Sequence, residues 1–315
     1  MIAVKLMGGM GNQMFQYAAA MAIACRRKTS VALDLSFLLD RTPRPDFVFR
    51  DFDLDIFNLP QDIQKLKTLP KEIQKKTPLI SHPRFISLIS RGFKNSDPLR
   101  FFISRFLLNL PFFAYNEPFF EFNPLVFALP ANSYLSGYFQ SPKYFSEIES
   151  QIREQFKLQP DLSEEAALLA DDIKNSHSVC INVRRADFVH LQAASETHGF
   201  CDLKYFERCI SLVIEKEPQA KFFVFSDDVE WCKDNFSGKT GFKIVDHSHK
   251  GPKFSWYLHL MTLCKHFIIP NSSFAWWAAW LSQRGGLVLA PQNWFRDAKI
   301  NTADLFPDHW HLISN

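Results

Sequence analysis

The chain opens with a short apolar run, Ile2 to Leu6, followed at once by Gly8, Gly9, Met10 and Gly11. Helix-forming residues then run from Gln13 to Ala24. Arg26, Arg27 and Lys28 close that stretch, where cations complement a helix dipole. Val31 to Leu35 reads as a second strand, so the chain starts β-α-β, a pattern that favours a parallel sheet. From Pro60 to Asn132 the pattern degrades, with prolines at 60, 70, 78, 83, 98, 111, 118, 124 and 130. This stretch predicts short helices and loops in place of continued sheet. Helical periodicity returns over Tyr144 to Phe156, breaks at Pro160, and resumes in an acidic helix, Ser163 to Lys174. A domain junction is therefore expected at 155–165, dividing the chain into residues 1–158 and 159–315.

The second half is regular. Strands are predicted at Ser178 to Val183, Lys221 to Ser226, Phe242 to Val245, His266 to Ile269 and Gly286 to Ala290. Helices are predicted at Tyr205 to Glu217, Val229 to Phe236, Ser255 to Cys264 and Phe274 to Ser282. Strands alternating with helices make a doubly wound α/β domain, whose ligands sit outside the carboxyl ends of the strands. Every strand exit here is polar: Arg184, Arg185 and Asp187; Ser226, Asp227 and Asp228; Asp246 and His247; Asn271, Ser272 and Ser273; Gln292 and Asn293.

Composition narrows the class. The chain has 315 residues, 47% hydrophobic and 22% charged, which excludes a disordered protein and supplies a sizeable core. A net charge of +3 is too mild to argue for nucleic acid. The early apolar run is too short for a signal peptide, and no later run is long enough to span a membrane. Six cysteines without metal spacing read as reduced thiols of a cytoplasmic protein. Between Lys65 and Phe106 ten Lys/Arg face two acidic residues, Glu72 and Asp97, with apolar residues interleaved. This stretch belongs to a basic, Phe-rich helical insertion, about 62–130. It reads as a solvated basic face, or as a patch for a membrane surface or acidic partner.

The sharpest chemistry is Arg184-Arg185 after a buried strand. Adjacent strand residues point to opposite faces, so one arginine is expected in the crevice and the other against the domain body. Guanidinium groups stay charged and grip phosphate with a planar fork. Asn271, Ser272 and Ser273 precede a helix, whose N-terminus favours an anion. Together they predict one diphosphate ligand, with an Arg–Asp187 ion pair as the plain alternative. Gly9-Met-Gly11 with Asp34 is a partial dinucleotide fingerprint, its third glycine replaced by Met14. It supports a runner-up reading, an NAD(P)-dependent dehydrogenase. Asp51, Asp53 and Asp55 imitate a D-x-D metal site but read as a solvated face. Trp276, Trp277 and Trp280 at helical spacing read as core.

Five stretches carry a resemblance: Gly8 to Ala18 (GGMGNQMFQYA), Ser136 to Phe145 (SGYFQSPKYF), Asn182 to Phe188 (NVRRADF), Phe223 to Asp228 (FVFSDD) and Asn271 to Ala279 (NSSFAWWAA). In this order the chain resembles the bacterial α-1,2-fucosyltransferases of glycosyltransferase family 11. Two departures stand in the double-arginine motif: Asn182 replaces the family's histidine and Ala186 its glycine. Asparagine keeps donor and acceptor capacity but carries no charge.

The resemblance implies a GT-B architecture, two Rossmann-like α/β domains facing across a cleft. It implies inverting, metal-independent transfer of L-fucose from GDP-fucose to the 2-hydroxyl of galactose in a surface glycan. No cofactor is expected beyond the donor. The C-terminal domain would bind GDP-fucose through Asn182, Arg184, Arg185, Ser226, Asp227, Asp228, Asn271, Ser272, Ser273 and Phe274. Gly9, Gly11, Asn12, Gln13 and His198 would line the acceptor side. Arg185, Arg184 and Asp187 would be catalytic. Arg185 is expected on the diphosphate, Arg184 on the loop or the diphosphate, and Asp187 as their organiser. Asp187 and His198 are also the alternative bases to a loose path in which the leaving phosphate takes the proton. The expected partner is a galactose-terminated, lipid-linked glycan met at the inner face of the cytoplasmic membrane.

Overall fold

A computed structural model describes all residues except 46, 70–112, 119, 186–200 and 298. The core of the basic insertion, together with Ala186, Asp187, Phe188 and His198, lies outside the described residues. Among the described residues no helix is long and apolar enough to cross a membrane.

Two parallel sheets organise the molecule. The first contains β1 (Ile2–Lys5), β2 (Val31–Asp34), β3 (Gln64–Leu66), β4 (Phe113–Asn116) and β5 (Ser133–Ser136), in the order β3-β2-β1-β5-β4. The second contains β6 (His177–Val183), β7 (Ala220–Ser226), β8 (Phe242–Val245), β9 (His266–Ile268), β10 (Val288–Pro291) and β11 (His311–Ile313), in the order β11-β10-β9-β6-β7-β8. The helices are α1 (Met10–Arg27), α2 (Ser36–Leu39), α3 (Glu149–Gln155), α4 (Glu164–Lys174), α5 (Leu203–Lys216), α6 (Val229–Phe236), α7 (Ser255–Thr262) and α8 (Ser273–Leu281). This is the two-sheet α/β architecture the sequence predicts.

The stretch from 60 to 132 departs from expectation. It supplies two strands, β3 and β4, that extend the first sheet on opposite edges. β3 has three residues, none of them buried, so no alternation marks it. β5 and β11 also lack a signal of their own in the apolar pattern.

Helix α1 follows β1 because Gly8 turns the chain at φ +77 and Gly9 supplies an extended N-cap. Lys28, in the left-handed region, closes the helix through its N–H. From Met10 to Ala24 every residue of α1 is buried except Asn12. One side of α1 packs on β1, and its first turns meet α8 of the second domain. The contact is aromatic. Phe15 lies 4.6 Å from Trp276 and 4.8 Å from Trp277, ring to ring, and Phe145 lies 5.3 Å from Trp277. Trp276 and Trp277 are fully buried, so the tryptophan helix is core, as its spacing predicts. Helices packed on the two sheets share this core.

Candidate active site

The carboxyl ends of β6 and β7 end in register, Val183 opposite Ser226. Two loops therefore leave the sheet side by side. Ser226 donates its hydroxyl to the Val183 carbonyl at 3.1 Å and accepts the Asp228 N–H at 2.8 Å, tying the loops together. Asp227 accepts the Arg185 N–H at 2.9 Å and pairs with the Arg184 guanidinium at 2.8 Å. Asp228 caps α6 by accepting the Trp231 N–H at 3.1 Å, and lies 3.7 Å from Arg185 Nε. The Arg185 guanidinium stands 4.4 Å over the Trp231 ring.

Both arginines are thus turned toward the exit of β7. The opposite-face expectation fails because β6 ends at Val183, and beyond that residue the pleat no longer dictates side-chain direction. Asp227 and Asp228 hold the arginines; Asp187, expected as their organiser, lies outside the described residues. A fixed guanidinium aimed from a loop is prepared for an anionic ligand, with little reorganisation left to complete. The sequence reading did not find Trp231, which braces Arg185 from the first turn of α6.

Asn182 is buried and donates from Nδ2 to the Phe225 carbonyl at 3.4 Å. At this position the side chain links β6 to β7. Asn271 is also buried and donates to the Trp294 carbonyl at 3.3 Å. Ser272 caps α8 through the Ala275 N–H at 3.4 Å, and Ser273 and Phe274 begin the helix. His247, at the β8 exit, bonds the Ser226 carbonyl through Nε2 at 3.0 Å. It packs among Phe254 and Tyr257 beside the arginine loops.

The glycine turn of the first domain abuts this region. A Cβ on Gly11 would lie 2.4 Å from the Ser273 carbonyl carbon and 2.6 Å from the Phe274 nitrogen. Trp277 Nε1 donates to the Gly11 carbonyl at 2.9 Å. Gln13 is fully buried; it donates to the Gly8 and Asp51 carbonyls and accepts the Asp53 N–H at 3.0 Å. Gly11 and Gln13 therefore act as packing and stapling residues, while Gly9 and Asn12 keep part of their surface exposed.

This geometry disfavours a dehydrogenase. The glycine turn is covered by α8 of the other domain, leaving no room for a pyrophosphate at Gly11. Asp34 is fully buried, accepting the Tyr134 hydroxyl at 2.7 Å and the Ser36 N–H at 2.9 Å, so no ribose reaches it.

The D-x-D imitation is dispersed. Asp51 pairs with Arg41, and Asp55 with Lys253 at 2.7 Å, the lysine also reaching the Phe52 carbonyl. This is a second bridge between the domains, and it is solvent-exposed. Asp53 lies between them, beside the Gln13 staple. Burial pushes its carboxyl up to about 6, against the pull of Lys253. The tertiary fold thereby brings a partly desolvated carboxylate beside the N-terminal glycine turn, where the sequence showed only amides.

The comparisons settle the family. The model of "Glycosyl transferase family 11" matches residues 1–314. The chain belongs to glycosyltransferase family 11. It is 30% identical over 317 residues to the alpha-1,2-colitosyltransferase of Escherichia coli, covering 99% of this chain and 98% of that protein. It is 30% identical over 322 residues to the O-antigen biosynthesis glycosyltransferase WbnK of Escherichia coli, covering 97% of this chain and 98% of that protein. Human galactoside alpha-(1,2)-fucosyltransferase 1 is 27% identical over 165 residues, half of this chain and 45% of that protein. This family-11 chain is a glycosyltransferase, and its arginine loops and α8 start lie where an α/β sheet places its ligand.

Proposed function

We propose that this glycosyltransferase moves L-fucose from GDP-fucose to the 2-hydroxyl of a galactose in a surface glycan of O-antigen type, with inversion and without a metal. The observation that carries the reading is the pair Arg184 and Arg185, held by Asp227 and Asp228 beside the start of α8. In the transfer the bond between sugar C1 and the phosphate oxygen breaks, and charge develops on the diphosphate. Arg185 and Arg184 meet that charge with guanidinium donors, and the free N–H groups of α8 add dipolar stabilisation. The acceptor oxygen attacks the opposite face of the sugar. Its proton passes to the departing phosphate in the loose path we favour, with Asp187 ordering the arginines.

The α-1,2 linkage is supported by the E. coli colitosyltransferase and the human galactoside fucosyltransferase, which carry that linkage in their names. The first of these also supports a second donor, the nucleotide of colitose. Both donors require the same diphosphate site.

The test is release of GDP from GDP-fucose in EDTA, with and without lactose or N-acetyllactosamine. Acceptor-stimulated release in EDTA supports the full reading. Release that needs added divalent metal refutes the metal-independent part. Turnover with the colitose nucleotide alone reassigns the sugar.

A further inference from the structure

The shared motif Ser136 to Phe145 contributes nothing to the donor loops, yet its backbone is unusual. Phe139 is fully buried and left-handed, at φ 52. A bulky residue persists there only when its surroundings over-determine it. Its neighbours do so. Tyr115 and Tyr144 enclose its ring at centroid distances of 6.3 and 5.4 Å. From the adjacent strand end, Glu117 reaches over and accepts the N–H of Tyr138 at 2.6 Å and of Phe139 at 2.9 Å on Oε2. Phe139 N–H also reaches Oε1 at 3.1 Å. Gly137 lets the carboxylate approach, since a Cβ there would stand 2.4 Å from Glu117 Cβ.

The turn leads to the start of α1, beside its contact with α8. Gln16 of α1 holds the Gly137 carbonyl at 3.1 Å. The next side chain, Gln140, is buried to 8% exposure and donates to Asn12 Oδ1 at 2.8 Å. Its own Oε1 has no hydrogen-bond partner among the described residues. Asn12 is the one unburied residue in the first fifteen of α1, one position after the Gly11 contact with α8. A carboxylate in the first domain therefore governs, through a strained turn, an amide pair at the cleft beside the donor helix.

We propose that Glu117 is the positioning residue of the acceptor wall: ionised, it locks the 137–139 turn so that Gln140 holds Asn12, which stays part-exposed, toward the acceptor sugar. The assignment of that wall to an acceptor rests on the transferase reading above. The groups facing Glu117 are the hydroxyls of Tyr115 from β4, Tyr138 from the turn and Tyr144 beyond it, with no ion pair among the described residues. Without a cation beside it, burial pushes the carboxyl up to about 7. Protonation places an O–H where an N–H must be accepted, and loosens the turn.

The expected kinetics follow. In the wild type, kcat/KM for the acceptor rises with pH through about 7, while GDP affinity stays flat. Glu117→Gln raises the acceptor KM at least tenfold, removes the rising limb and leaves the GDP Kd within twofold. The sign for stability is opposite. A carboxyl raised in the folded state contributes most below its unfolded pKa, and that contribution is lost as pH rises through the folded value. Glu117→Gln is therefore expected to match or exceed the wild-type Tm above pH 7. Hydrogen exchange at the Tyr138 and Phe139 amides, corrected for intrinsic rate, reads the link without any turnover. It should accelerate as pH falls through 7 in the wild type. Unchanged protection there, or Glu117→Gln with wild-type acceptor kinetics and the same pH limb, overturns the proposal. Normal exchange behaviour in a protein that transfers neither sugar would instead refute the transferase reading.

Discussion

Replacing Arg185 with alanine is expected to lower kcat/KM by roughly 10²–10³, the scale of losing one preorganised donor to transition-state charge. The residue is held in three ways: its backbone N–H by Asp227, its guanidinium by the Trp231 face, and its Nε near Asp228. That much anchoring around a cation at a strand exit is an arrangement for a ligand. Arg185→Lys keeps the charge but loses the fork and the stacking, so it should recover only part of the rate. Structural damage is separable. Arg184 still pairs with Asp227 after the Arg185 side chain is removed, and the Asp227 contact to the backbone N–H of residue 185 survives. The Tm of Arg185→Ala should therefore shift little. Steady-state kinetics beside a thermal melt provide the check. A large fall in Tm with normal kcat/KM would make Arg185 a structural residue.

Gly11→Ala is expected to give the largest loss of stability available from one methyl group at the domain contact. The added Cβ would collide with the Ser273 and Phe274 backbone, which cannot rotate away. Relief requires α1 and α8 to part, and that disturbs the Trp277–Gly11 bond and the packing of Phe15 on Trp276 and Trp277. Overpacking of this kind costs about 1–3 kcal/mol, occasionally more. For a chain of this size that is a fall of roughly 2–5 °C in Tm. GDP affinity should fall with it, because Ser273 begins the helix proposed to meet the diphosphate. Gly9→Ala is the control: nothing lies within 4 Å of its Cβ position. Equal melting curves for the two variants would contradict the close contact.

The second domain was legible because its signals are local. Val229 to Phe236 and Phe242 to Val245 match their helix and strand end to end, and the core strands are apolar on both faces, as a covered parallel sheet requires. Its strand exits were legible for the same reason, since parallel strands deliver all their loops to one end. The first domain was less so. β3 is exposed and three residues long, and β4 lies after a stretch dense in prolines. The cleft residues that escaped the sequence depend on distant partners. Gln16 finds the Gly137 carbonyl 121 residues away, and Gln140 finds Asn12 across 128. Trp231 looked like one more helix residue until Arg185 was placed above it. Gln13 looked like a cleft amide, yet its partners at Asp51 and Asp53 draw it inside.

The central claim is that the arginine loops and the start of α8 form the diphosphate site, and that the N-terminal glycine turn does not. Hydrogen exchange with and without GDP tests it most directly, with NAD as the parallel ligand. The account predicts protection by GDP at 183–185, 226–228 and 272–276, and no response to NAD anywhere. Protection centred on residues 8–14, or a footprint from NAD and none from GDP, would contradict it.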